Sequence, residues 1–171
     1  MAQMVFSMSG LMQGFGDSGS TQDFRKCSIV PKDQSIVGLL SAALGYEKNS
    51  PKIEELGNKI SIQVDLVKRG RKLEDFQTVN GRRSYVYDAN GKVVKQGIKR
   101  VDGGTNYNPI VMRKEYRVGV EYLVTVEGDE ETIGMLKSAI RKPYYPLYLG
   151  KASCIGNIYL LEDIKCNQTD T

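Results

Sequence analysis

The chain predicts an α+β fold: two β-α-β halves separated by a long basic insertion. Three observations carry that expectation. Hydrophobic periodicity runs strand, helix, strand, breaks over residues 68–112, and then runs strand, helix, strand again. Residues 68–117 hold thirteen Lys and Arg against five acids, a net of +8, whereas the remaining residues net −4. Within the insertion, the segment SYVYDANGKVVK places strand-forming residues on both sides of Asn90 and Gly91, a hairpin signal.

Taken in order, residues 4–9 read as a first strand, running into the turn-rich, glycine-heavy GLMQGFGDSGS at 10–20. A helix is expected over 33–44, with Asp33 or Ser35 as its cap. Its apolar face is Ile36, Val37, Leu39, Leu40, Ala43 and Leu44, and Gly45 suits its stop. One short turn is expected at 53–56. Ile60, Ile62, Val64 and Leu66 then alternate with Ser61, Gln63 and Asp65, which predicts a half-buried strand. The insertion ends in GIKRVDGGTNYNP, which reads as a flexible polar connection expected to order only on a partner. Alternation returns from Tyr116 through Val118, Val120, Tyr122 and Val124 to Val126. Asp129 is the expected cap of a second helix, with Ile133, Leu136 and Ile140 inward, Arg141 and Lys142 at its negative end and Pro143 beyond. The loop PYYPLYLGKASC leads to a last strand at 158–161, and the tail IKCNQTDT is polar and expected to fray. The expectation is one domain over residues 1–163, with the insertion at about 68–114, and a tail at 164–171.

Composition narrows the function. A basic face on an acidic body suits a polyanion, because each neutralised phosphate releases condensed counterions; a solvated loop is the alternative. The chain has no histidine, the usual general acid or base near neutral pH and the commonest metal ligand. Serine-type triads and cysteine–histidine pairs are thereby excluded, while Lys, Tyr and carboxylate chemistry stays open. Cys27, Cys154 and Cys166 are odd in number, far apart and without a C-x-x-C pair, which argues against a disulfide framework or zinc site and fits a reducing cytoplasm. No metal or cofactor is expected. The N-terminus lacks a basic n-region, and no run reaches the roughly eighteen apolar residues needed to cross a bilayer, so an intracellular, soluble protein without a membrane partner is expected.

Two split β-α-β halves make the ferredoxin-like fold shared by RNA-recognition motifs, here with a basic hairpin between the second and third strands like a thumb. Four phrases line up on it: GLMQGFG after the first strand, VPKDQSIVGLLSAALG across the first helix, LVKRGRKLEDFQTVNG after the second strand and PYYPLYLGKASC before the last. With VMRKEYRVGVEYLVTV, this series resembles the CasD family, the fifth of the core CRISPR-associated families in its type I-E form, within the RAMP superfamily. The resemblance covers nearly the whole chain and implies a non-catalytic subunit of an antiviral Cascade ribonucleoprotein. Such a subunit caps the crRNA 5′ handle, touches a CasC-type backbone subunit and a CasA-type large subunit, and meets target DNA only indirectly.

Carried over, the Met-Gln-aromatic-Gly element falls on Met12, Gln13, Phe15 and Gly16, and the helix-start element on Lys32, Gln34 and Ser35. Arg25, Lys26 and Lys32 stand where handle phosphates would meet a helix N-terminus. The insertion offers Arg82, Arg83, Lys92, Lys95, Lys99, Arg100 and Arg113, with Tyr107 for base stacking and Tyr85 and Tyr87 as a strand pair. Lys151 stands in the last loop where a basic residue is expected, and Cys154 reads as packing. Two departures stand out: Phe15 replaces a common Trp, and only seventeen residues follow Cys154, where family members usually continue. Two other readings compete. Related proteins cut the crRNA precursor without metal, and Tyr46 with nearby lysines would be the candidates here. A freestanding RNA-binding protein of the same fold is the third.

Overall fold

The computed structural model describes residues 1–21, 23–79, 83–99, 105–106 and 110–166. Its elements are β1 (Ala2–Gln13), β2 (Phe24–Arg25), α1 (Asp33–Leu44), α2 (Pro51–Lys59), β3 (Ser61–Lys68), β4 (Arg71–Val79), β5 (Arg83–Tyr87), β6 (Val93–Lys99), β7 (Thr105–Asn106), β8 (Ile110–Gly128), α3 (Glu130–Arg141), β9 (Asn157–Leu160) and α4 (Leu161–Cys166).

β8 organises the molecule. One of its edges pairs antiparallel with β1, from Gly128 back to Arg117, and then parallel with β2 at Arg113 and Lys114. The other edge pairs antiparallel with β3 as far as Glu121 and then with β4 from Val118 to Ile110. β9 lies antiparallel on the outer edge of β1. The central order is therefore β3-β8-β1-β9, every neighbour antiparallel.

Alternation in the sequence becomes one buried face. The register sets Met4 against Val126, Phe6 against Val124 and Met8 against Tyr122, so their side chains point the same way. All six are at most 2% exposed and share one core with Ile36 and Leu40 of α1 and with Ile133 and Leu136 of α3. Asp129 caps α3 as expected, accepting the Thr132 N–H at 2.8 Å. Gly45 ends α1 in the left-handed conformation, also as expected.

Several expectations need correction. β1 runs through Gln13, not Ser9. Gly10 is there for close approach, since an added Cβ would lie 2.7 Å from Leu149 Cδ1. Neither Asp33 nor Ser35 caps α1; the cap is Lys32, acting through its backbone oxygen alone. The short turn at 53–56 is a nine-residue helix, because Ser50 caps it and Pro51 is preset at its first position. β9 ends at Leu160, and Leu161–Cys166 form α4, which takes the first three residues of the expected tail; residues 167–171 lie outside the described residues. Lys137 and Arg141 of α3 hold Glu162 and Asp163 of α4 at 2.7–2.8 Å. Val93 to Lys95 are strand, as the hairpin requires; of the expected flexible connection, residues 97–99 and 105–106 are strand in β6 and β7, and residues 100–104 and 107–109 lie outside the described residues.

The insertion has two parts. β4 and residues 110–118 of β8 form a ribbon, joined on its other edge by β2 at Arg113 and Lys114, and β5, β6 and β7 form a separate small sheet. The hairpin at Asn90 and Gly91 is present: Asp88 Oδ1 accepts the N–H groups of Asn90 and Lys92 at 2.9 Å, and Gly91 has φ +78°. At the joint between core and ribbon, Gly70 and Gly119 have φ +61° and +66°. A Cβ on Gly70 would lie 2.4 Å from the Val118 carbonyl oxygen. Among the described residues, no helix is long and apolar enough to cross a membrane.

Candidate nucleic-acid interface

Three of the quoted motifs meet at an open cleft of about 340 Å³. Phe15 and Gly16, the first half of α1 with Ser35 and Gly38, and the last loop with Tyr148 and Lys151 line it. Backbone hydrogen bonds hold the walls together. Gly14 N–H donates to Leu149 O at 2.9 Å and Ser28 N–H donates to Phe15 O at 2.9 Å, while Gly16 and Cys27 form an isolated bridge. Gly150 must be glycine: its φ is +88°, and a Cβ would lie 2.6 Å from the Gly14 carbonyl. Gly16 and Gly38 have open space where a side chain would be, so parts of the wall are bare backbone.

Lys151 supplies the cleft's positive charge. Its Nζ lies 4.2 Å from the centre of the Tyr116 ring, a cation–π contact. Burial holds its pKa below the ordinary 10.5, and Lys114 and Arg25 add repulsion. An anion entering here would relieve that repulsion.

Beside the cleft, the ribbon stem carries an ion-pair cluster. Glu115 Oε1 accepts Lys72 Nζ at 2.6 Å, and Oε2 accepts the Cys27 N–H at 3.3 Å. Although burial opposes it, these bonds and the charges of Lys72 and Arg117 hold the Glu115 carboxyl below its usual range. Arg113 lies 3.8 Å from Glu74 and over the Phe76 ring, and Lys114 donates to Gln77 Oε1 at 2.7 Å.

The structure brings Ser35 and Lys151 together in the cleft. Arg25, Lys26 and Lys32 are exposed, Arg25 in β2, Lys26 just after it and Lys32 at the start of α1. Arg113 is exposed on the ribbon and Lys92 at the hairpin turn. Gln13 is different. It is 2% exposed and donates to Tyr122 Oη, which donates in turn to Ile29 O. In this conformation Gln13 has no surface to offer RNA; it ties β1 to the segment before α1. Phe15 and Cys154 are core, 2% and 1% exposed. Tyr85 and Tyr87 are exposed with ring centres 6.3 Å apart. Arg83, Lys95 and Lys99 lie in β5 and β6, and Arg82, Arg100 and Tyr107 lie outside the described residues. Sequence reasoning missed Gly38, Lys72, Glu115 and Tyr116 as parts of the site. Only the period-two register of β4 against β8 could have set Lys72 near Glu115.

No curated protein matches the chain. A solved chain described as "CRISPR RNA-guided surveillance complex" superposes with TM-score 0.68 at 23% identity, covering 91% of this chain and 60% of that one. A second, described as "Crystal structure of Cas protein", gives TM-score 0.57 at 18% identity over 90% of this chain and 59% of that one. These likenesses establish the fold, and the chain spans about three-fifths of the length of both. The profile of the family described as CRISPR-associated protein (Cas_Cas5) matches residues 4–170, almost the whole sequence, and the chain belongs to that family.

Proposed function

We propose that this chain is a non-catalytic, guide-RNA-gripping subunit of a cytoplasmic type I-E Cascade complex, of the CasD kind. On this reading it caps the crRNA 5′ handle and contacts CasC-type backbone and CasA-type large subunits. The carrying observation is the convergence of three motifs on one cleft, with Lys151 inside it and Arg25 near enough to repel Lys151. Bare backbone at Gly16 and Gly38 suits a sugar-phosphate chain, and among the described residues the Lys151 ammonium makes no ion pair with a carboxylate, which suits phosphate. Family membership and the neighbour described as an RNA-guided surveillance complex support the assignment. The order β3-β8-β1-β9, with the helices on one face, supports the ferredoxin-like reading. The ribbon and small sheet inserted between β3 and the core half of β8 support the thumb.

A metal-independent ribonuclease is the competing reading, and one contact favours it: Lys52 Nζ lies 5.6 Å from the Tyr46 ring. Such an enzyme must deprotonate a 2′-hydroxyl and protonate a leaving oxygen, which calls for two groups titrating near neutrality in a chain without histidine. The deciding experiment incubates the purified chain with a labelled repeat transcript and with processed guide. The transcript should stay intact, with or without EDTA, while the guide shifts on a gel. Scission within the repeat that is lost on Tyr46→Phe would replace the binding reading with the enzymatic one.

A further inference from the structure

Glu115 is the one charged side chain among the described residues that is buried, at 8% exposure. Its position is costly for a polyanion binder. It stands opposite Glu74 in the β4–β8 ladder, a like-charge pair, on the strand that carries Arg113, Lys114 and Arg117. An acid there subtracts from the field that would attract RNA. Lys72 bridges the two carboxylates, at 2.6 Å from Glu115 and 4.0 Å from Glu74, and Arg113 also meets Glu74.

The two oxygens of Glu115 reach different parts of the molecule. Oε1 takes Lys72 on β4, the ribbon stem. Oε2 takes the N–H of Cys27, just beyond Arg25 and Lys26. Cys27 is bridged to Gly16, and the next residue donates to Phe15 O, so the same carboxylate fixes the segment against which a cleft wall rests. One buried charge thus adds a side-chain tie to the β2–β8 ladder, linking ribbon, basic segment and cleft. We propose that Glu115 is a positioning residue that sets the ribbon stem and the Arg25–Lys26 segment in the mutual geometry that grips an RNA backbone. This rests on the RNA-binding reading above.

The proposal predicts an effect opposite in sign to bulk electrostatics. Glu115→Gln removes a negative charge from a basic face, so charge alone would tighten binding of any RNA. The amide also keeps an acceptor for Cys27 N–H and nearly the same volume, so the fold should persist. Loss of the charged tie to Lys72 should nevertheless weaken guide binding by about tenfold. Because Glu115 touches no phosphate, the salt dependence of binding should keep the wild-type slope while the whole line drops. Lys72 is half exposed, so Lys72→Gln threatens the fold less and serves as the second variant. It should weaken binding as well, and the double variant should be no weaker than the weaker single.

Filter binding of processed guide and of an unrelated RNA of equal length, across a salt series, reads all of this, with thermal unfolding alongside. Glu115→Gln protein that binds guide as tightly as wild type, or tighter, overturns the proposal. So does a double variant whose losses simply add. Wild-type protein that binds neither RNA would instead defeat the functional reading, and this inference with it.

Discussion

The two halves of β8 make a controlled comparison, because one continuous strand passes through two environments. Between residues 120 and 126 every even position is at most 4% exposed, and the odd positions are half-buried. Between 111 and 118 Arg113, Lys114 and Arg117 all reach the surface to some degree, Glu115 is buried in an ion-pair cluster, and only Tyr116 joins the core. The core half is held by apolar area under two helices, the ribbon half by its ladder with β4 and by charge pairs. Burial has to exclude unpaired charge, so the cations that a polyanion would use collect on the half of the strand that contributes only Tyr116 to the core.

The largest expected effect separates the halves by stability. Leu136→Ala, at a fully buried site under the core half, should cost about 2–5 kcal/mol in denaturant unfolding. Phe76→Ala on the ribbon, 61% exposed, should stay within about 0.5 kcal/mol. Equal losses would mean that the ribbon packs as a second core.

At the boundary, Gly70→Ala should cost about 1–3 kcal/mol, because it forces φ +61° on a residue with a Cβ and sets that Cβ against Val118 O. Ala at Gly91, equally left-handed but in open space at the hairpin turn, isolates the conformational part of that cost. A smaller loss at Gly70 than at Gly91 would show that the joint yields.

Lys151→Gln sharpens the comparison from the ligand side. Guide binding should weaken and its salt slope flatten by about 0.7 log units, the share of one phosphate on a single strand. The smallest effect is on the fold. With its pKa below 10.5 when folded, Lys151 binds its proton more tightly in the unfolded chain, so stability rises with pH between the lowered pKa and 10.5. Thermal unfolding of Lys151→Gln should lack that rise and should not fall below wild type at neutral pH. A marked loss at neutral pH would assign Lys151 to packing on Tyr116.

The same contrast explains what was readable beforehand. Core elements follow from local pattern: the alternation from Ile60 to Leu66 and from Tyr116 to Val126, the bounds of α1, the Asp129 cap and the Asn90–Gly91 turn all appear as expected. Where period and composition disagree, tertiary pairing decides. Residues 110–115 become strand because β4 pairs with them, and α4 forms where Lys137 and Arg141 wait for its acids. Site geometry was legible only as motifs. Nothing local in the sequence says that Gln13 is consumed inside by Tyr122, or that Glu115 reaches the Cys27 amide.

The placement of β1 also shapes how the chain is made. Among the described residues its ladder partners are β8 and β9, and its ladder to β8 joins residues 104 to 126 positions apart, from Gln13–Arg117 to Ala2–Gly128. A ribosome adding about 5–20 residues per second leaves β1 waiting for roughly 5–25 s before its first partner exists. Throughout that interval Met4, Phe6 and Met8 lie on an unpaired strand beside an α1 that lacks its sheet. The β5–β6 hairpin, with its partners 6 to 15 positions apart, can form in the meantime, whereas the ribbon must wait, because β4 pairs with residues 110–118 of β8. Core and basic ribbon therefore close together, on the one strand that both share, once β8 has emerged.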